Sequence, residues 1–135
     1  RPPRSTQGVS SAASDVYKRQ LIELNDCSSE LLDDLNGIRT ALIETTKIMG
    51  VTIVGETFHR FSPYGVTGVL AIAESHICVH TWPEHNYAAV DIFTCGNSGS
   101  AQKGAQYLIS QFESKDPKIK VIERGLAPNS SVITH

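Results

Sequence analysis

Between Val51 and Thr94 the chain carries four strand-like runs and no stretch with helical spacing. Val51–Arg60, Val66–Ala73, His76–Trp82 and Tyr87–Thr94 each end at turn-forming residues, Ser62-Pro63-Tyr64-Gly65 in one case and Pro83-Glu84-His85-Asn86 in another. Connections this short join neighbouring strands that run in opposite directions, because a parallel pair needs a crossover of about a dozen residues or more. An antiparallel sheet is therefore the frame around which the rest must fit.

The flanks supply the covering layer. Gln20–Asn25 reads as a first strand and Lys118–Glu123 as a last one. Ser28 or Ser29 can cap a helix, with Glu30, Asp33 and Asp34 near its positive end. Leu31, Leu32, Leu35, Ile38, Leu42 and Ile43 recur at helical spacing, and Gly50 is a stop signal. Gly96–Ser100 reads as a loop leading into a second helix, Ala101–Phe112. The order points to an α+β fold, a two-layer α/β sandwich with a mainly antiparallel sheet and two helices on one face.

A length of 135 residues suits one domain. The net charge of −2 gives no broad basic footprint for nucleic acid. No apolar run approaches the ~18 residues of a membrane helix. Three widely spaced cysteines do not form a disulfide framework, and no secretory signal is recognisable, so a reducing cytoplasm is the expected compartment. Residues 1–19 are rich in Ser, Pro and Arg, lack an apolar period, and resemble adapter read-through or a disordered tail. The fold is accordingly expected within residues 20–135.

The chemistry concentrates in Ala73–Cys95. Alternation puts His76, Cys78 and His80 on one face of a strand, and Tyr87, Ala89, Asp91, Phe93 and Cys95 on one face of the next. Three readings are open. In the first, these are ordinary packing and turn residues, with Cys78 a small hydrophobe. In the second, His76, Cys78, His80 and Cys95 bind zinc. Positions four apart on a strand lie roughly 13 Å apart, so His76 and His80 would need a bend to share an ion. In the third, Glu74-Ser75 is a site of backbone chemistry: the serine hydroxyl attacks the preceding carbonyl, the amide becomes an ester, and loss of the serine α-proton cuts the chain. That step needs oxyanion stabilisation and a nearby base.

AESHICVHTWPEHNYAAVDIFTCG resembles the core motif of the prokaryotic S-adenosylmethionine decarboxylase proenzymes, a short pyruvoyl-dependent type. FHRFSPYGVTGV, LIELNDC and VIERG match the same family, so the resemblance runs from about Leu21 to Gly125. It implies self-cleavage at Glu74-Ser75 into residues 1–74 and 75–135, with Ser75 becoming the pyruvoyl group and no external cofactor or metal. His80 matches the histidine that removes the serine α-proton, and Cys95 the general acid that protonates the product carbon. Thr67 stands where the family has a processing serine, and its stiffer side chain implies slower cleavage. Phe61 matches the aromatic that stacks on adenine, and Glu84 the carboxylate that binds the ribose hydroxyls. Gln20 stands at a family histidine position.

The implied reaction is decarboxylation of S-adenosylmethionine for spermidine synthesis by a cytoplasmic homodimer with both protomers near each site. Arginine or ornithine as substrate on the same scaffold, and a non-catalytic paralogue, are the alternatives. Retention of Ser75, His80, Cys95, Phe61 and Glu84 favours the enzyme acting on a nucleoside. Trp82 reads as a packing anchor, Cys27 and Cys78 as small buried residues, and His76 carries no proton-transfer role.

Overall fold

The computed structural model describes residues 16–73, 75–95 and 98–125. Its elements are β1 (Val16–Asn25), α1 (Ser29–Leu32), α2 (Leu35–Met49), β2 (Ile53–Arg60), β3 (Val66–Ile72), β4 (Ser75–Trp82), a 3-10 turn (Pro83–His85), β5 (Tyr87–Cys95), α3 (Ser98–Gln111) and β6 (Asp116–Gly125). The six strands form one sheet in the order β2-β3-β4-β5-β1-β6. Every neighbouring pair is antiparallel.

Two differences from the sequence reading have clear physical causes. β1 begins at Val16 rather than Gln20, because β5 and β6 flank it and pair with Tyr17, Lys18 and Arg19 from both sides. Ladder hydrogen bonds need only backbone, so a segment without an apolar period can still be a strand. The first helix is also not continuous. α1 ends at Leu32, and Asp34 starts α2 afresh by accepting a hydrogen bond from the Gly37 amide at 3.0 Å. A Cβ on Gly37 would meet Asp34 Oδ2 at 2.6 Å, so that cap depends on glycine. The described residues thus contain three helices where two were expected.

The core lies between one sheet face and the helices. Ile22, Leu24, Leu70, Ile77, Val79, Val90 and Ile92 supply the sheet side, and Ile38, Leu42, Ala105 and Leu108 the helix side, all buried. At Gly104 an added Cβ would lie 2.9 Å from Met49 Sδ and from Thr45 Cγ2. A bare position there lets α3 approach α2 closely, so a larger side chain would force the two helices apart. Gly50 ends α2 at φ 74°, as its place after the last apolar residue predicts.

The opposite sheet face carries no helix among the described residues. Thr67, Val69, Cys78, Ala89, Asp91 and Phe93 are only half-buried there, and His80 is exposed. The alternation puts His76, Cys78 and His80 on this open face, with Ile77, Val79 and Thr81 inward. No helix among the described residues is long and apolar enough to cross a membrane.

Candidate active site

β4 carries chemistry at both ends. Ser75 is its first residue and pairs with Ile72 of β3. Its Oγ is buried, with no hydrogen-bond partner among the described residues. A buried hydroxyl left unpaired costs about 1–3 kcal/mol, so an orphan of this kind calls for a chemical reason. Glu74 lies outside the described residues. Cys95 closes β5, two positions past Phe93, and Phe93 pairs with His76. The register therefore brings the backbones of Ser75 and Cys95 to the same end of the sheet; the Cys95 side chain lies outside the description.

The other end of β4 gathers a second group. Thr67 of β3 pairs directly with His80, and Thr67 Oγ1 lies 3.0 Å from His80 Nδ1. With the hydroxyl donating, Nδ1 is the acceptor and Nε2 carries the hydrogen; the other tautomer reverses both roles. Either way the bond fixes the ring's orientation. Phe61 follows β2, is 46% exposed, and meets His59 edge-on at 4.5 Å. Glu84 is exposed in the 3-10 turn. The β2–β3 turn and the 3-10 turn lie side by side: a Cβ on Gly65 would fall 3.0 Å from the Thr81 carbonyl and 3.8 Å from Pro83 Cδ. Phe61 and Glu84 thus flank one edge of the molecule near His80.

One chain does not unite these two groups. Ser75 and His80 are five residues apart on a straight strand, on opposite faces, and about 16 Å from each other along it. Sequence spacing alone conceals this, because a separation of five looks short until the pleat is drawn.

The open face between the ends mixes apolar Val69, Ala89 and Phe93 with an Arg19–Asp91 ion pair, and Arg19 Nε is buried with no partner among the described residues. Arg19 Nη2 donates to Asp91 Oδ2 at 3.0 Å. Burial holds His76 below its ordinary value, with Arg19 adding to the effect and Asp91 opposing it. Burial, then Asp91, pushes the Cys78 thiol up, against Arg19. Cys78 is therefore a half-buried, protonated thiol on this face rather than a core residue, whereas Cys27 is buried as expected. Trp82 is 39% exposed and stacks on Tyr87 at 5.4 Å, so it sits on the open face and not in the core. The Tyr87 hydroxyl donates to the Glu23 carboxylate. Burial and that bond push the phenol up to about 12. Among the described residues, no group of three or more His, Cys, Asp or Glu side chains is arranged to hold a metal ion.

A residue outside the expected set ties the second group together. Asp33 accepts from the Gly65 amide at 2.9 Å and from Arg60 Nη2 at 2.6 Å. The sequence reading gave Asp33 to a helix start; the helix break at Leu32 puts it at a helix end instead.

Comparison with known proteins supplies the family. The S-adenosylmethionine decarboxylase family model matches residues 18–125. An S-adenosylmethionine decarboxylase proenzyme of Thermodesulfovibrio yellowstonii is 46% identical over 106 residues, covering 78% of each chain. One from Pyrococcus furiosus is 38% identical over 115 residues, 85% of this chain and 83% of that one. The crystal structure of the adenosylmethionine decarboxylase from Aquifex aeolicus superposes with a TM-score of 0.80 at 33% identity, over 86% of this chain and 96% of that one. With a family match over residues 18–125 and these identities, the chain belongs to the S-adenosylmethionine decarboxylase family.

Proposed function

We propose that this chain is a self-processing decarboxylase of S-adenosylmethionine, and that its working unit is a homodimer with composite sites. Each site would join Ser75 and Cys95 of one protomer to the partner's Thr67, His80, Phe61 and Glu84. The observation that carries the reading is the orphaned, buried Ser75 hydroxyl at the start of β4, in a chain whose relatives are named proenzymes.

The residues fit this chemistry. Ser75 Oγ attacks the Glu74 carbonyl carbon, the C–N bond breaks, and an ester to the serine oxygen forms. Removal of the α-proton of residue 75 then expels the Glu74 carboxylate, and water releases ammonia. The partner's His80, its ring fixed by Thr67, would take that proton. A pyruvoyl group left at residue 75 supplies a ketone that engages the substrate amine and accepts the electrons freed with CO2. Cys95 would hold a proton for the product carbon; a thiol of ordinary value, ~8.5, keeps it near neutral pH. Phe61 would stack on the adenine, and Glu84 would accept two hydrogen bonds from the ribose diol.

Two features support the dimer. Ser75 and His80 of one chain stand too far apart for proton transfer. The open sheet face, with Trp82 exposed at its edge, has no covering layer among the described residues. A two-fold axis facing the two open sheets would cover both and bring opposite strand ends together. The product would serve aminopropyl transfer in spermidine synthesis, and a reducing cytoplasm would keep Cys95 a thiol.

Intact mass measurement tests the reading. The parent should appear as fragments 1–74 and 75–135, the second bearing carbonyl reactivity, and Ser75→Ala should stay whole. A single full-length parent species after long incubation would overturn it. CO2 release from S-adenosylmethionine, with none from arginine or ornithine, is the expected substrate result.

A further inference from the structure

Asp33 sits in the joint between two helices, as the C-cap of α1 and one residue before Asp34, the N-cap of α2. Its carboxylate is held by the β2–β3 turn. Asp33 Oδ1 accepts the Gly65 amide at 2.9 Å, Oδ2 accepts Arg60 Nη2 at 2.6 Å, and the Asp33 carbonyl accepts Arg60 Nε at 3.3 Å. The carboxylate thus grips residues on both sides of Phe61–Tyr64. Within the turn, the Phe61 amide donates to the Gly65 carbonyl at 2.8 Å, closing the loop on itself.

A second tie runs beside the first. Thr81, 6% exposed, donates through Oγ1 to the Leu32 carbonyl at 2.7 Å and accepts the Val66 amide at 2.9 Å. Leu32 and Asp33 therefore hold Val66 and Gly65 by consecutive bonds, one reached through β4 and one direct. Gly65 itself has φ 106°, and an added Cβ would meet the Thr81 carbonyl at 3.0 Å. The turn therefore packs close to β4 and is tied to the end of α1.

We propose that Asp33 is a positioning residue for substrate recognition, clamping the β2–β3 turn so that Phe61 is held in place before the adenosyl group arrives. This rests on the assignment of Phe61 as the adenine-stacking residue. An exposed aromatic on an unclamped turn would have to be ordered on binding, and that ordering weakens affinity. Asp33 touches neither substrate nor reacting atoms in this scheme, so its loss acts on KM and leaves the chemical step alone.

The test is a double-mutant cycle on the processed enzyme with Asp33→Asn, Phe61→Leu and the pair. Asp33→Asn should raise KM for S-adenosylmethionine about tenfold by loss of preorganisation, with kcat within about twofold. It should also speed hydrogen exchange at the Gly65 amide and leave the mass pattern of self-cleavage unchanged. In the Phe61→Leu background, Asp33→Asn should add less than about a twofold change, because it acts only through that ring. Unchanged KM in Asp33→Asn, with KM raised in Phe61→Leu, would overturn the clamp and leave the site assignment intact. Unchanged KM in both would remove the Phe61 assignment and the clamp with it. Multiplying effects in the pair, or a kcat loss matching the KM rise, would overturn the clamp as well. Should Asp33→Asn not fold, Arg60→Gln removes one jaw of the clamp and should show a smaller rise in KM with the same dependence on Phe61.

Discussion

The two ends of β4 differ in what they lack. At the first end, Ser75 has a buried hydroxyl with nothing to bond to among the described residues. At the other, His80 is bonded to Thr67, and the adjoining turn is tied down by Asp33, Arg60 and Thr81. One end holds an unpaired hydroxyl and the other a set of side chains already bonded in place. The strand between them is straight and alternating, so no rotamer change bridges about 16 Å. What a lone chain separates, a two-fold pairing of chains can join.

Complementation gives the all-or-none way to break this comparison. Ser75→Ala and His80→Ala proteins should each fail to cut themselves when made alone. Made together, they form mixed dimers in which one site inherits both defects and the other neither. The intact site holds the Ser75 of the His80→Ala chain, so that chain should be cut and the Ser75→Ala chain should stay whole. With random pairing about half of the His80→Ala chains should be cleaved, read by intact mass. No cleavage in the mixture, with mixed dimers demonstrated, would place both groups of each site in one chain and end the composite-site reading.

The sequence made most of the sheet legible because its signals are local. Alternation located β3, β4 and β5, and the short connections required antiparallel neighbours. The shared face of His76, Cys78 and His80 was readable in the same way, whereas the register that sets Cys78 opposite Asp91 and His80 opposite Ala89 came only from the structure. Three features were not legible, each for a nonlocal reason. Val16–Arg19 joined β1 only because two strands distant in sequence, at Phe93–Cys95 and Ile122–Gly125, close on it. The break at Asp33 was hidden because the apolar spacing of Leu31, Leu32, Leu35 and Ile38 continues across it. The separation of Ser75 from His80 required the pleat and the strand's straightness together. Phe61 and Glu84 were singled out by resemblance, and their adjacency came from the packing of the Gly65 turn against Pro83.

A second, smaller contrast lies within the helix-facing side of the sheet. Gln20 is 1% exposed, and neither its Oε1 nor its Nε2 has a hydrogen-bond partner among the described residues. It shares orphan status with Ser75, yet an amide is no nucleophile. If the Gln20 amide serves nothing, an apolar replacement should be the better neighbour for Ile22 and Ile92. Gln20→Leu is expected to raise stability by about 1 kcal/mol, read from the denaturation midpoint at constant m-value. Self-cleavage should be unaffected. A loss of stability would show that the amide is held by ordered water, and a loss of cleavage would make Gln20 part of the Ser75 end.

The smallest expected effects come from pH and separate the two ends once more. His76 lies one residue from Ser75, and burial first, then Arg19, lowers its folded value. The unfolded chain then binds more protons below the ordinary histidine value of ~6.5, so stability is lost as pH falls through that window. Tyr87 pairs with Trp82 at the far end, and burial, then the bond to Glu23, raises its folded value to about 12. Between the ordinary tyrosine value of ~10 and 12 the unfolded chain releases a proton that the folded one keeps, so stability falls as pH rises. Both groups are partly exposed, so solvent screening keeps either effect small. His76→Phe should flatten the acid limb alone and Tyr87→Phe the alkaline limb alone, measured as thermal midpoint against pH. If either substitution flattened both limbs, the two ends would be one coupled electrostatic unit through Arg19 and Asp91, and the division of β4 into independent halves would have to be given up.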